Sequence, residues 1–99
     1  MNKKQIRENF RNEVFKRDGN KCRVCGRNDV KLDAHHITNR KNIPSGGYVK
    51  ENGITLCDTE NGCHWKAENV YSDDFLPDNL YKLIKSDFET AYYKSLMLE

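Results

Sequence analysis

The chain has 99 residues, of which 36% are hydrophobic and 32% charged, with a formal net charge of +2. A chain this short forms one domain with a thin core, and such domains often depend on a metal ion or on disulfides for stability. No stretch is long and apolar enough to cross a bilayer, and no apolar run of a secretory signal follows Met1, so we expect a cytoplasmic protein of a bacterium or phage.

The charge is unevenly distributed between the two halves. Residues 1–50 contain 13 lysines and arginines against 5 acidic residues, a balance of +8, whereas residues 51–99 contain 4 against 10, a balance of −6. The basic half could bind a polyanion such as a nucleic acid and release its counterions. Ordinary solvated surface charge accounts for the same numbers equally well.

The first element predicted is an amphipathic helix over residues 3–17. Ile6, Phe10 and Val14 recur every four positions and form one apolar stripe, while basic residues occupy the other surfaces. The helix should end near Asp18, where turn-forming residues follow.

The central part predicts two strands and a helix held together by cysteines. Cys22-Arg-Val-Cys25 predicts a zinc knuckle, because two thiolates three residues apart can reach one ion from a tight turn. We expect a strand over residues 31–37 and a second over residues 54–56, joined by a loop over residues 38–50 that is rich in turn formers. A helix is predicted over residues 60–70.

The acidic end, residues 72–99, predicts two short helices. Pro77 suits the first turn of one, and Ser86-Asp-Phe-Glu89 has the spacing of a capping box for the other. The inward-facing residues are predicted to be Leu80, Leu83 and Ile84 on the first helix, and Phe88, Tyr92 and Leu96 on the second, with Tyr93 as a further candidate. We expect Trp65 to pack in the core or to shield a metal pocket.

Four cysteines, Cys22, Cys25, Cys57 and Cys63, predict a closed tetrahedral zinc site of the structural kind. In a reducing compartment such pairs are more often metal ligands than disulfides, although disulfide bonds are one alternative. Five residues separate Cys57 from Cys63 where two are usual. In a second alternative, one cysteine is therefore not a ligand and His64 completes the zinc site.

All three histidines of the chain lie among these cysteines. His35 and His36 are adjacent, and neighbouring side chains on an extended segment point to opposite faces. One imidazole can therefore bind a metal while the other faces a reacting group. A neutral histidine is suited to remove a proton from water at physiological pH. The alternative for each is an ordinary polar side chain that is satisfied locally.

Four motifs, in this order, resemble the HNH endonuclease family over roughly residues 14–69: Cys22-x-x-Cys25, Asp33-Ala-His-His-Ile37, Asn52-Gly-Ile-Thr-Leu-Cys57 and Cys63-His64. The resemblance implies a small α+β domain with a zinc-stapled ββα-metal core. The basic helix over residues 3–17 and the helical extension over residues 72–99 would flank that core within a single domain, residues 1–99.

The resemblance also implies a role for each signature residue. His36 matches the general base, and His35 stands where the family has a metal-binding aspartate or histidine. Asn52 matches the central asparagine, which holds the loop and orients the base. His64 matches the final histidine, a ligand of the catalytic metal. Whether His64 points inward depends on the conformation of the long segment between Cys57 and Cys63.

The activity implied is metal-dependent hydrolysis of DNA, by nicking or by cleavage, that leaves 5′-phosphate and 3′-hydroxyl ends. An ion held by His35 and His64 keeps positions open for water and phosphate. Mg²⁺ is the abundant choice, while Mn²⁺, Ni²⁺, Co²⁺ or Zn²⁺ suits two imidazoles at least as well. Arg40 and Lys41 are candidates for binding a neighbouring phosphate, and the basic helix for following the backbone.

Several alternatives stay open at this stage. A non-catalytic zinc-binding module for nucleic acid or protein would explain the cysteines and the charge asymmetry, but not the three histidines. A domain detached from a larger nuclease or restriction system would have other partners and the same chemistry. Double-stranded DNA is the expected partner, with no membrane, but DNA is not distinguished from RNA, nor a monomer from a homodimer.

Overall fold

A computed structural model describes residues 2–70 and 72–98 of the chain. Met1, Tyr71 and Glu99, which the predicted domain includes, lie outside the described residues. The elements are α1 (Lys3–Arg17), β1 (Leu32–His36), β2 (Gly53–Cys57), α2 (Cys63–Asn69), α3 (Pro77–Leu83) and α4 (Phe88–Leu96). The prediction of an α+β fold is confirmed, with four α-helices and one two-stranded sheet in the described part of the chain.

Helix α1 has the bounds predicted from its apolar spacing. Its first turn is closed by a capping box, in which the Gln5 backbone N–H donates to Asn2 Oδ1 at 2.9 Å and the Asn2 backbone N–H donates to Gln5 Oε1 at 3.2 Å. Phe10 and Val14 are buried, as the stripe predicts. The helix therefore packs its apolar face on the sheet and exposes its charged surfaces.

The two strands pair antiparallel, with His35 opposite Ile54 and His36 opposite Gly53. Helix α1 covers one face of this sheet very closely. A Cβ atom at Gly53 would lie 2.5 Å from Val14 Cγ2 and 2.6 Å from Phe10 Cε1, so only glycine allows this approach. Because side chains alternate along a strand, His36 shares the α1 face and His35 points to the opposite face.

The connection between the strands contains three short 3₁₀ turns, at Arg40–Asn42, Pro44–Gly47 and Lys50–Asn52. Helix α4 packs against the second and third of these turns. The larger buried cluster lies on the other side of the sheet and includes Ile54, Leu56 and residues of α3. The C-terminal helices therefore support the loop that follows the adjacent histidines.

The predicted inner face of α4 was wrong. The helix buries Ala91 and Ser95, whereas Tyr93 is 68% exposed, Leu96 is 51% exposed, and Phe88 and Tyr92 are also exposed. Small residues face the turn at 44–47 because the helix lies close to that loop backbone. The N-cap is Asp87, one residue later than the predicted capping box, and it accepts a hydrogen bond from the Thr90 backbone N–H at 2.7 Å.

Three other local predictions also need correction. Helix α2 begins at Cys63 rather than at residue 60, because the preceding residues form a turn. Helix α3 buries Leu80 together with Tyr81, while Leu83 is exposed. Trp65 is 45% exposed on α2, so it does not pack in the core.

Candidate functional site

The four cysteines converge from three segments of the chain. Cys22 and Cys25 lie in the turn after α1, Cys57 ends β2 and Cys63 begins α2. All four Sγ atoms lie within 4.8 Å of one another. The Sγ atoms of Cys25 and Cys57 are 3.7 Å apart, which matches the edge of about 3.8 Å in a tetrahedron with zinc–sulfur bonds of about 2.3 Å. All four are free thiols. The cluster therefore fits a bound metal such as zinc.

The long segment between the last two cysteines folds into a turn that returns the chain to the cluster. Asn61 has a positive φ of 56°, and the Gly62 backbone N–H donates to Thr59 O at 2.9 Å. A side chain at Gly62 would collide with Thr59. The Cys63 backbone N–H then donates to Cys57 Sγ at 3.2 Å. Five intervening residues are thus compatible with a four-cysteine site.

The electrostatics of the cluster also favour a cation. Burial by itself raises the pKa of the Cys22 thiol, but backbone N–H groups of Cys25, Cys57 and Val24 outweigh it and lower that pKa to about 7. Burial and the neighbouring sulfur atoms raise the pKa of Cys63 well above its ordinary value. A divalent cation among the sulfur atoms would stabilise all four thiolates, since metal binding displaces their protons.

A second cluster of metal-binding side chains joins β1 to α2. The rings of His35 and His64 have centroids 5.4 Å apart. The ligand atoms of His35, His64 and Glu68 lie within 4.8 Å of one another. Glu68 is four residues after His64 on α2, so both side chains project from the same side of the helix. His64 thus points inward, beside the histidine of the first strand.

Two more carboxylates surround His64. Asp33 Oδ2 lies 3.4 Å from His64 Nε2, and Asp58 Oδ1 lies 3.4 Å from His64 Nδ1. The contact with His64 holds the pKa of Asp58 below its usual range. Together with Glu68, these two carboxylates create a negative electrostatic potential around His64 that favours a bound cation.

Burial, together with smaller contributions from the nearby His64 and His36, lowers the pKa of His35 to about 4. His35 is therefore neutral at pH 7, which is the protonation state in which an imidazole binds a metal. The donor set of two imidazoles and one carboxylate fits a transition-metal ion such as Mn²⁺, Ni²⁺, Co²⁺ or Zn²⁺. With three protein donors, several coordination positions would be left open.

His36 is enclosed by two aromatic rings on the α1 side of the sheet. It stacks on Phe10 at a centroid distance of 4.5 Å and an interplanar angle of 21°, and it meets Tyr48 edge-on at 4.6 Å. Its Nε2 is buried and has no hydrogen-bond partner among the described residues. Burial and the nearby charge of Arg40 lower the pKa of His36 to about 4, so the ring is neutral at pH 7.

Asn52 is fully buried and forms hydrogen bonds with both ends of the loop between β1 and β2. Its Oδ1 accepts hydrogen bonds from the Thr38 backbone N–H at 2.9 Å and from the Tyr81 hydroxyl at 2.7 Å. Its Nδ2 donates to the carbonyl oxygens of Thr38 and Gly47, both at 3.2 Å. The Asn52 carbonyl accepts from the Ile37 backbone N–H at 2.8 Å. The asparagine thus fixes the residues that directly follow His36.

An open cleft of about 800 Å³ connects the three histidines. His35, His36, His64 and Glu68 line it together with the two basic candidates, Arg40 and Lys41, which are exposed. Arg40 also donates a hydrogen bond from Nη1 to the Tyr48 hydroxyl at 2.8 Å. Carboxylates and cations therefore occupy the same cleft as the histidines.

Sequence reasoning missed Glu68, Asp33 and Asp58 around His64, and it missed Tyr81 beneath Asn52. Two of these had a readable signal: Glu68 follows His64 at the helical spacing of four, and Asp33 precedes His35 at the strand spacing of two. Asp58 and Tyr81 reach the site only through tertiary packing, which no local spacing indicates.

Comparison of the chain with protein-family models, with curated proteins and with solved structures found no match. No helix among residues 2–70 and 72–98 is both long and apolar enough to cross a membrane. The residues of the cleft and of the cysteine cluster are therefore the basis for inferring a function.

Proposed function

We propose that this protein is a metal-dependent endonuclease of the HNH type that hydrolyses phosphodiester bonds of DNA. The observation that carries the proposal is the pairing of an open metal-binding cluster, His35, His64 and Glu68, with a neutral imidazole at the adjacent residue, His36. Phosphodiester hydrolysis needs a base for the attacking water and a positive charge near the phosphate. Both lie in one cleft.

The three donors of the open cluster would hold a divalent ion, and the cysteine cluster a structural zinc. When bound, the divalent ion supplies Lewis-acid stabilisation of the phosphate and of the departing 3′ oxygen. The two imidazoles favour Mn²⁺, Ni²⁺, Co²⁺ or Zn²⁺, while the Glu68 carboxylate also permits Mg²⁺.

In this proposal His36 accepts a proton from the attacking water. The water oxygen bonds to phosphorus, the bond to the 3′ oxygen breaks, and that oxygen takes a proton from solvent, so the products are a 5′-phosphate and a 3′-hydroxyl. Asn52 positions His36 through its hydrogen bonds to the backbone N–H groups of Ile37 and Thr38, the two residues that follow the base. Because Nε2 is buried, proton transfer to this nitrogen requires the His36 or Tyr48 ring to rotate when substrate enters the cleft.

Duplex DNA is the proposed partner, bound in the cleft through its phosphates. Arg40 and Lys41 lie on the cleft wall and are exposed, which suits contacts with the phosphates beside the reacting one.

The enclosure of His36 Nε2 favours a second candidate, a non-catalytic zinc-binding module that holds nucleic acid. It would use the cysteine cluster and the basic surface and would need no general base. It gives no task to His35, His64 and Glu68, whose ligand atoms converge.

The test is incubation of purified, zinc-loaded protein with supercoiled plasmid and added Mg²⁺, Mn²⁺, Ni²⁺ or Co²⁺. We expect nicked plasmid, and a loss of about 100-fold or more in His36→Ala with zinc content and helicity unchanged. Tyr93→Ala, purified in parallel, controls for contaminating nuclease and should retain full activity, since Tyr93 is exposed on α4. Full activity of His36→Ala would reject His36 as the general base. Absence of nicking with every metal would favour the module.

A further inference from the structure

One flank of α1 carries a row of three cations. Lys4, Arg7 and Arg11 are spaced three and four residues apart, so they project from the same side of the helix. All three are exposed, and none forms a salt bridge with a carboxylate of residues 2–70 or 72–98. A cation that has no acidic partner among the described residues is available to a phosphate.

This row is connected through Tyr48 to the cleft that the histidines line. The Arg7 guanidinium lies over the Tyr48 ring, 5.6 Å from its centroid, and the Tyr48 hydroxyl accepts the hydrogen bond of Arg40. The same Tyr48 ring packs edge-on against His36. Arg7 of α1 and Arg40 of the cleft therefore contact the same aromatic side chain, which packs against the proposed base.

The row also has a suitable length. A helix rises about 1.5 Å per residue, so the seven steps from Lys4 to Arg11 span about 10 Å, close to three steps of about 3.4 Å between neighbouring phosphates, a stretch of four phosphates on one strand. The other flank differs in character, since Ile6 and Glu13 line a small, mainly apolar cavity with Met97. Only one side of α1 thus combines the cations with continuity to the cleft.

We propose that Lys4, Arg7 and Arg11 bind phosphates along one strand of duplex DNA and that α1 holds that strand against the His36 side of the cleft. The identity of the ligand rests on the proposed function. The surface belongs to α1, outside the strands and the helix that carry the histidines. It would supply affinity that is sequence-independent, because contacts to phosphates carry no base information.

The test is binding of a fluorescently labelled DNA duplex without added divalent ions, measured by anisotropy over a series of salt concentrations. Arg7→Gln/Arg11→Gln should weaken binding about tenfold near 0.1 M salt and reduce the steepness of log K against log salt by about 1.8, as expected for two lost phosphate contacts. Arg11→Gln alone, which leaves Arg7 on Tyr48, should reduce it by about 0.9. Zinc content and helicity confirm folding.

The matched control is Lys82→Gln/Lys85→Gln, which removes the same charge from exposed positions in the acidic half. It should leave affinity within twofold and the salt dependence unchanged. Unchanged binding by the arginine variants, or an equal loss in the lysine control, would overturn the proposal. Because no cleavage is needed for this measurement, it separates the two hypotheses. Binding through α1 without plasmid nicking would reject only the nuclease, and nicking with unaltered binding would reject only the α1 surface.

Discussion

Glu68 Oε1 lies 2.9 Å from His64 Nε2, one helical turn along α2. This contact places a carboxylate at the third corner of a cluster that otherwise consists of two imidazoles. A negative charge there lowers the cost of holding a divalent cation and directs the ion toward the His35 side of the cleft. Two histidines alone would bind the same ion more weakly.

We therefore expect Glu68→Gln to weaken binding of the exchangeable divalent ion by about tenfold or more, since the amide keeps the size but loses the charge. The measurement is titration of zinc-loaded protein with Mn²⁺, followed by electron paramagnetic resonance, with tightly bound zinc counted separately. Zinc should remain at one ion per chain. Glu89→Gln, at an exposed position of α4, is the control and should bind Mn²⁺ normally. Equal affinity of both variants would exclude Glu68 as a ligand.

The elements with strong local patterns were predictable from the sequence. The bounds of α1 follow from its apolar spacing, and the strand that carries His35 and His36 was placed within one residue. The opposite orientation of the two histidines follows from strand alternation alone, and their different neighbours, His64 and Phe10, agree with it.

What could not be predicted depends on packing between distant segments. Helix α4 presents Ala91 and Ser95 because it lies close to the loop turns, so its aromatic residues are outside, against the usual pattern. The late start of α2 depends on a positive φ at Asn61. The enclosure of His36 depends on Tyr48, which lies in a loop that no periodicity describes.

The hydroxyl of Tyr81 is buried and connects α3 to the loop. It donates to Asn52 Oδ1 at 2.7 Å and lies 2.6 Å from Thr38 Oγ1. Tyr81→Phe removes both hydrogen bonds but keeps the ring, so we expect a loss of about 1–2 kcal/mol in the free energy of unfolding. Urea unfolding at a constant zinc concentration measures this change in the free energy of unfolding. Tyr93→Phe, on an exposed ring, should change stability by less than about 0.5 kcal/mol. A loss in both would indicate that the buried hydroxyl has no special role.

Protonation of His36 should make stability depend on pH. The folded-state pKa is lowered to about 4 from an ordinary value of 6.5, so below about pH 6.5 the unfolded chain binds more protons than the folded protein. This histidine therefore lowers stability as the pH falls from 6.5 to 4 and has no such effect above pH 6.5.

His36→Phe keeps an aromatic ring between Phe10 and Tyr48 but cannot titrate. Relative to wild type, it should gain stability as the pH falls from 7 to 4.5, by about 2 kcal/mol after allowance for partial solvent exposure. Urea unfolding at several pH values measures the difference, and loss of zinc at low pH affects both proteins alike. Tyr48→Phe, which leaves the His36 imidazole in place, should differ from wild type by a constant amount. A pH-independent difference for His36→Phe would contradict the prediction.

The last prediction separates the two possible sets of zinc ligands. If Cys22, Cys25, Cys57 and Cys63 are the ligands, Cys25→Ser leaves three thiolates and should lower zinc content after mild chelation to less than half of the wild-type value. His64→Ala should keep one zinc ion per chain, because the imidazole belongs to the open cluster with His35 and Glu68. Zinc is measured by atomic emission after dialysis against a weak chelator. The reverse result, with zinc lost from His64→Ala and retained by Cys25→Ser, would place His64 in the structural site and leave the cleft without its second imidazole ligand.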